Sequence, residues 1–374
     1  MGGRVTPRNR PHQPTLDNLT LSRKEGWFAY AESPAPTAPE PLTRTEIKKL
    51  GTDAASDYNS QRRRWHANLG PIKTPQLANL HEDLWDIVDS NHHTGDKPKS
   101  AVAIDGFPGL GKTTAGLSFC RDFHHREIVE LGRTTTEGHQ RIPVCRVGLA
   151  GNTGMLDFNR AMLAFFGHPG ITRGTAAQLA HRVLDCVLTC ETRLLMIDDL
   201  HFLRWGNSQS VEISNHFKYI ANEFPVTIIY IGVGLAARGL FSEGASYHDA
   251  VIAQTGRRTT RLSMEPFSSK TKTGRRQWRQ LLLSLEQRVV LADKHPGMLA
   301  DELSDYLYAR STGHIGSLMT LINRGCQRAV RTGTERLSKD LLDQVKNDAA
   351  AEKARKELES AMKSGKVTTR ADVA

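Results

Sequence analysis

Apolar residues change their rhythm three times along the chain. Residues 1–41 are polar, end in the proline-rich "SPAPTAPEP" and are expected to form a disordered, extended tail; within them "KEGWFAYAE" reads either as a short helix or as a docking peptide. From Leu42 to about Asn91 the spacing is helical. It closes on "TPQLANLHEDLWDIVDSN", where Leu77, Leu80, Leu84, Ile87 and Val88 recur on one face and Thr74 and Pro75 offer a start. After "HHTGDKPK" the period shortens. "SAVAID" (100–105), "IPVCRVG" (142–148), "RLLMID" (193–198) and "VTIIYIG" (226–232) read as buried strands, separated by helical stretches of which "AQLAHRVLDCVLTC" is the clearest. Strands alternating with helices predict an α/β fold, a parallel sheet sandwiched by helices. Beyond Pro266 the strands stop. "GRRQWRQLLLSLEQRVVL", "PGMLADELSDYLYARS", "IGSLMTLINRGCQRAVR" and "SKDLLDQVKNDAAAEKARKELESAMK" all read as helices of a C-terminal α-helical lid, the last charged enough to extend beyond the fold. The expected divisions are a tail (1–41), a helical segment (42–98), an α/β domain (99–265), a lid (266–348) and a charged C-terminal helix or tail (349–374).

The first strand runs into "GFPGLGKTT", Gly106 to Thr114, which matches G-x-x-x-x-G-K-[ST] between a strand and a helix, the context that phosphate-binding loop requires. Gly106, Gly109 and Gly111 let the backbone curl so that successive N–H groups face phosphates, and the helix opening near Lys112 adds its dipole. The whole loop, with Phe107, Pro108, Leu110 and Thr114, is expected to line the nucleotide. Lys112 brings a charge to the β- and γ-phosphates, and the Thr113 hydroxyl ligates Mg²⁺. The bland reading is a glycine-rich turn with a chance match.

"RLLMIDDLHFL" (193–203) supplies the other half. A strand ending in Asp198 puts a carboxylate near the metal at the carboxyl edge of the sheet, where open α/β folds bind ligands. Asp199 is the candidate base that orients the attacking water. Many nucleotide-hydrolysing proteins carry Glu there, and a misplacement of ~1 Å costs about 100-fold in rate. The expectation is strong binding and slow hydrolysis. His201 has two readings: a partner of Asp199 or of the γ-phosphate, or a packing residue.

The loop, "LLMIDDLH", "VTIIYIGVG", the arginine pair in "AQTGRRTTRLSMEPF" and "RSTGHIGSLMTLINRGCQRAV" follow one another in the order seen in TniB/TnsC-like AAA+ ATPases, which this chain resembles from about Asn59 to Asp348. The resemblance implies an AAA+ P-loop NTPase that uses ATP and Mg²⁺. It implies a homo-oligomeric ring or filament on double-stranded DNA that recruits or activates a DDE transposase. It also implies that Arg258 or Arg257, with Arg258 the first choice, completes a neighbouring subunit's site. A guanidinium at the γ-phosphate would stabilise developing charge; the alternative is that both arginines belong to a basic surface. The chain departs from the family at Asp199, at the apolar "YIGVGLA" where a polar sensor belongs, and at Ser317 where a lid arginine belongs, with Arg324 one or two turns further on.

Charge then sharpens the partner. Lys and Arg number 50 against 40 Asp and Glu, a formal +10 over 374 residues, which favours a polyanion. By the resemblance DNA is gripped after the second strand, which singles out Arg133, Arg141, Arg146, Asn152, Thr153 and Arg160. A second basic run holds Arg257, Arg258, Arg261, Lys270, Lys272, Arg275, Arg276 and Arg279 against Glu265. "QRRRWH" (61–66) reads as a solvated helix face. No zinc-finger spacing or helix-turn-helix is visible, so backbone tracking with little base preference is expected. Five Cys fit reduced thiols in a cytoplasmic protein, with Cys186 and Cys190 read as packing residues rather than a metal pair. No run approaches the ~18 apolar residues of a membrane span. "MGGRVT" fits a myristoylation pattern without a second anchor. The rival readings are a helicase-loader-like or initiator-like ATPase, and a nucleotide-gated signalling switch without a DNA role.

Overall fold

Five short runs of aliphatic and β-branched residues pair into one parallel sheet: β1 (Ala101–Asp105), β2 (Val144–Gly148), β3 (Leu194–Asp198), β4 (Thr227–Ile231) and β5 (Thr259–Ser263), in the order β2-β3-β4-β1-β5. This is a computed structural model, and it describes residues 20–92, 98–203, 209–235 and 258–370. Every residue of β3 and β4 is buried, the signature of strands covered on both faces. The fifth strand is a finding. "TTRLS" is largely exposed and polar because it is the sheet's edge, pairing only with β1 (Ala101↔Thr259 to Asp105↔Ser263).

Among the described residues, the α-helices before β4 are α1 (Lys24–Ala31), α2 (Arg44–Lys49), α3 (Thr52–Ala67), α4 (Pro75–His92), α5 (Lys112–Leu131), α6 (Met155–Phe166), α7 (Ala176–Thr189) and α8 (Gln209–Glu223). Helices α4, α5 and α6 pack on the sheet. The core they close contains Leu80, Leu84, Phe119, Phe123, Phe158 and Met162 with the strand residues. The expected start of α4 holds: Pro75 takes the first helical position and Thr74 Oγ1 accepts from Leu77 N at 3.1 Å.

After β5 come α9 (Lys272–Arg288), a π-helical turn (Met298–Glu302), α10 (Ser304–Ser311), α11 (Ile315–Thr332), α12 (Lys339–Asp343) and α13 (Ala349–Lys363). They surround a second core built on Trp278, Leu285, Leu307, Leu318 and Ile322. Residues 42–98 do not form a unit between these cores. Helix α3 packs on α11, and Leu69 and Ile72 lie in the second core, whereas α4 lies in the first.

Four sequence expectations are corrected here. The stretch 1–41 is not all extended tail: α1 docks on α5 with Trp27 fully buried, its Nε1 donating to His124 Nδ1 at 3.3 Å. Burying an indole outweighs the stretch's overall polarity. Within the expected C-terminal tail, the described residues 349–370 do not project: α13 packs on α10, Ala351 is buried, and Thr369 Oγ1 meets Ser304 Oγ at 2.6 Å. The helix expected over 338–363 is two, with Asp348 capping the second through Ala351 N at 2.9 Å. Finally, "QRRRWH" is only half solvated. Arg62 and His66 are buried, Arg62 paired with Glu335 and His66 Nε2 accepting from Val290 N at 3.0 Å, while Arg63 and Arg64 are exposed.

Candidate nucleotide site

Strand β1 ends at Asp105, whose Oδ1 accepts from Gly106 N at 2.8 Å. A Cβ on Gly106 would fall 2.5 Å from the carbonyl oxygen of Met264, so the loop's first glycine is fixed by the backbone that follows β5. The loop then turns into α5. Lys112 is buried and folds back, its Nζ donating to the carbonyls of Gly106 (2.8 Å) and Phe107 (2.7 Å). Burial lowers its ammonium pKa, opposed by the charges of Asp105, Asp198 and Asp199. Thr113 Oγ1 stands 3.1 Å from Asp198 Oδ1, and the same oxygen accepts from Asp199 N at 3.0 Å. The two motifs thus converge, from 85 positions apart, on a cavity of about 320 Å³ lined by Pro108, Gly109, Gly111, Lys112, Thr113, Thr114, Asp198, Asp199, His201, Ile231, Gly232 and Val233. A hydroxyl and a carboxylate are hard oxygen donors of the kind Mg²⁺ takes. Among the described residues no group of three or more His, Cys, Asp or Glu could hold a metal by itself, so a cation here would draw its other ligands from phosphate and water.

Asp199 sits at φ 58°, ψ 38°, in the left-handed region, where β3 gives way to a short 3₁₀ turn. Asp and Asn visit that region because a short polar side chain bonds locally; Asn152, Glu191, Thr312 and Glu335 share it in this chain, so the backbone alone does not select Asp over Glu here. Burial first, and then the neighbouring Asp198 charge, raise the Asp199 pKa. His201 lines the same cavity with its ring against Phe202, centroids 4.3 Å apart. The end of β4 contributes Ile231, Gly232 and Val233 and no polar side chain.

A second cavity, of about 430 Å³, shares Gly111 and Thr114 with the first. Its walls include Tyr30 of α1 with Pro34 and Pro36 after it; Leu69 to Ile72 after α3; Leu77 of α4 and Leu117 of α5; Met264 and Phe267 after β5; and Ile315, Gly316 and Met319 of the lid. The lid is held down at Gly316, whose N–H donates to the Gly109 carbonyl at 2.8 Å, and a Cβ there would lie 2.8 Å from that oxygen. Sequence reading missed this apolar cavity, because no one segment carries it; the "LGPI" turn at 69–72 was its only local signal.

The remaining candidates disperse. Arg258 lies beside Ala101, at the amino end of β1, its Nη1 donating to Asn222 Oδ1 at 2.8 Å. Arg257 lies outside the described residues. Ser317 hydrogen-bonds the Asp348 carboxylate, and Arg324 Nη1 donates to the Lys346 carbonyl at 2.8 Å, so neither supplies a lid cation at the phosphates. Of the four arginines expected on DNA, two are corrected. Arg141 is buried, bound to Glu191 and to the carbonyls of Gly132 and Thr134; a guanidinium so enclosed cannot meet phosphate outside. Arg146 points into the nucleotide site, its Nη2 3.0 Å from Asp198 Oδ2. Arg133 and Arg160 are solvent-facing, paired with Glu32 (2.6 Å) and Asp157 (3.3 Å). Thr153 is buried, its hydroxyl donating to the Ala150 carbonyl at 2.5 Å. All five cysteines are free thiols, and burial raises the pKa of each. No described helix is long and apolar enough to cross a membrane.

Comparison with known proteins places this geometry. Residues 64–243 match the family model described as Bacterial TniB protein. Among solved structures, the chain is similar to the ORC2 protein of Aeropyrum pernix in ADPNP–ADP complexes, at 17% identity over 75% of this chain and 67% of that one, TM-score 0.51. It is similar also to Cdc6p from Pyrobaculum aerophilum (12%, covering 70% and 64%, TM-score 0.48). The Aeropyrum pernix ORC1 protein in complex with DNA matches at 17%, covering 76% and 65%, TM-score 0.46. The chain spans about two thirds of the length of each. At these identities the likeness shows the fold: an AAA+ P-loop NTPase with a five-stranded parallel sheet. No curated protein matches the chain in sequence.

Proposed function

We propose that this chain, a member of the TniB family, is an ATP-dependent regulator of transposition that assembles on double-stranded DNA, hydrolyses ATP slowly, and recruits or activates a DDE transposase. The observation that carries the nucleotide part is the 3.1 Å approach of Thr113 Oγ1 to Asp198 Oδ1, beside Lys112, in a cavity joined to an apolar one of nucleoside size. Triphosphate arriving at the loop would draw Lys112 Nζ from two carbonyls to its own oxygens, a stronger, charge-assisted pairing. Mg²⁺, when bound, would neutralise charge on the phosphates. The base would lie against the walls after α1 and α3 and under Ile315, so nucleotide touches both cores.

Asp199 would orient the water. Burial and the Asp198 charge raise its pKa, which makes the ionised group a stronger proton acceptor than an ordinary Asp. Two features support slow turnover: the short arm of Asp199 and, among the described residues, no polar side chain from the end of β4 in the cavity. Arg258 is on the opposite edge of the sheet from its own loop. Five residues of β1 span roughly 15 Å at about 3.3 Å each, beyond a guanidinium's reach, so Arg258 could serve only a neighbour's site. Ring or filament assembly follows from that reading.

The DNA part rests on the formal charge of +10 and on basic residues at the surface: exposed Arg133 and half-buried Arg160 on one side, exposed Lys270, Lys272 and Arg276 on the lid. With no base-reading helix expected, contacts would be to phosphate, and affinity would fall steeply with salt. The TniB match favours a transposition client over an initiator-like one. The test is electron microscopy and light scattering of the chain with duplex DNA and a non-hydrolysable ATP analogue. Ordered assemblies that need nucleotide are expected. A nucleotide-binding protein that stays monomeric on DNA, or that binds it without salt dependence, refutes the regulator reading and leaves the ATP site standing.

A further inference from the structure

The carboxylate that a nucleotide's metal would seek already has a cation. Arg146 Nη2 lies 3.0 Å from Asp198 Oδ2, and the two side chains are 15% and 2% exposed. The other oxygen, Oδ1, receives Thr113 Oγ1 and Asp199 N. Both carboxylate oxygens are therefore engaged inside the site. The arrangement is built into β2. Residues 146 and 148 are two apart and share a face of the strand, and Gly148 stands directly opposite Asp198 in the parallel register. A Cβ on Gly148 would meet Arg146 Nη1 at 2.9 Å and Cζ at 3.2 Å. The missing side chain is what lets the guanidinium lie across the strand end and reach the next strand's carboxylate. The backbone at Gly148 is not left-handed, so glycine is there for space.

We propose that Arg146 is an internal counter-cation that competes with Mg²⁺ for Asp198, so that this site takes a nucleoside triphosphate with little dependence on the metal. The inference rests on the nucleotide reading given above. A guanidinium cannot shed its proton at any working pH, so its charge is permanent. With Arg146 in place, Asp198 offers a divalent cation little net charge, and the incoming phosphates meet one uncompensated carboxylate fewer near Lys112, leaving Asp105 and Asp199. Without Arg146, bare Asp198 repels metal-free triphosphate and attracts the metal. Arg146 is thus a positioning residue. It sets how the site divides its affinity between the triphosphate and the metal.

The experiment is equilibrium binding of a fluorescent ATP analogue to the full chain, in excess Mg²⁺ and in EDTA, read as the ratio of the two dissociation constants. The parent ratio should be small. In Arg146→Gln it should rise by roughly tenfold or more, the order expected for losing one charge-assisted contact of about 1.5–3 kcal/mol. Gly148→Ala is the second variant. It keeps every charge, displaces the guanidinium by crowding, and should shift the ratio the same way; Arg146→Lys should restore most of the parent value. An unchanged ratio in folded Arg146→Gln or Gly148→Ala overturns the proposal. So does loss of binding in Mg²⁺ as well as in EDTA, which would make Arg146 a nucleotide contact. If the parent itself takes up no analogue in either buffer, the nucleotide reading has failed instead.

Discussion

Replacing Glu335 by Gln leaves a buried guanidinium facing a neutral amide. Arg62 is 1% exposed and the Glu335 side chain 7%. Glu335 receives Arg62 through both oxygens, Nη1 to Oε2 at 2.6 Å and Nη2 to Oε1 at 2.9 Å, and Oε2 also accepts from Ala292 N at 3.0 Å. Arg62 is held further by Asn59 Oδ1 at 2.5 Å and by the Tyr58 ring, 4.8 Å from its Cζ. Such a pair is a poor source of net stability, yet removing one partner strands the other, at about 3–5 kcal/mol. Taking ~3 kcal/mol for Glu335→Gln, the melting temperature should fall by roughly 6–12 °C. Arg62→Met should cost a similar amount. The double variant should lose less than the sum of the singles by at least ~2 kcal/mol, because neither member is then left alone. The assay is urea unfolding followed by tryptophan fluorescence, since Trp65 and Trp278 both belong to this helical unit. There is a functional arm too. Helix α3 leads directly into Leu69 to Ile72, one wall of the nucleoside cavity, so Glu335→Gln should also weaken binding of a fluorescent ATP analogue. Strict additivity of the two substitutions would refute the argument that this pair fastens α3 to the lid.

Three further outcomes follow from the site. Lys112→Ala should remove detectable uptake of labelled ATP, measured by fluorescence anisotropy, since two or more charge-assisted contacts at about 1.5–3 kcal/mol each are lost. Asp199→Asn should lower hydrolysis by about 100- to 10,000-fold with nucleotide affinity near the parent's. In the parent, the rate should fall with decreasing pH sooner than for an ordinary Asp, because the group must be ionised to accept a proton and its pKa is raised; a flat phosphate-release profile down to the ordinary Asp range contradicts the assignment. Arg258→Ala should cut assembly-stimulated hydrolysis by up to about 1,000-fold, and mixing it with Asp199→Asn, which still binds nucleotide, should restore part of the activity, each subunit supplying what the other lacks. No recovery on mixing would remove Arg258 from a role in trans.

The central strands were legible because burial on both faces makes them continuous apolar runs, and β1, β2, β3 and β4 all fall inside the stretches the pattern marked. The edge strand β5 was not. It buries little and alternates polar residues, so "TTRLS" looks like loop until a partner strand is given. The P-loop and the acids were legible as local motifs, and the fold brings them together. Arginine was where sequence reading failed. Arg62, Arg141 and Arg146 count in the sequence as surface charge, yet each is enclosed with a carboxylate from 50 or more positions away. Charge density cannot tell a solvated guanidinium from a paired one. The larger apolar cavity was invisible for a related reason, since its walls are mostly apolar pieces of several remote segments, none unusual by itself.

That dispersal bears on what the molecule does with a nucleotide. The loop belongs to the first core, whereas the walls at Leu69, Ile72 and Ile315 belong to or pack on the second. Gly316 N–H on the Gly109 carbonyl is a direct hydrogen bond between the two at the loop itself. A ligand filling both cavities adds contacts that exist only when the cores are closed on one another, and it can bias closure by no more than that difference in affinity. Turnover needs something else: a water held to within a fraction of an ångström. Here the proposed base is a short Asp on a left-handed residue, and among the described residues the end of β4 offers the cavity no polar side chain and Ser317 of the lid faces Asp348. The parts that sense occupancy are more fully built than the parts that consume it, which argues for a protein whose conformation reports bound ATP over a long lifetime.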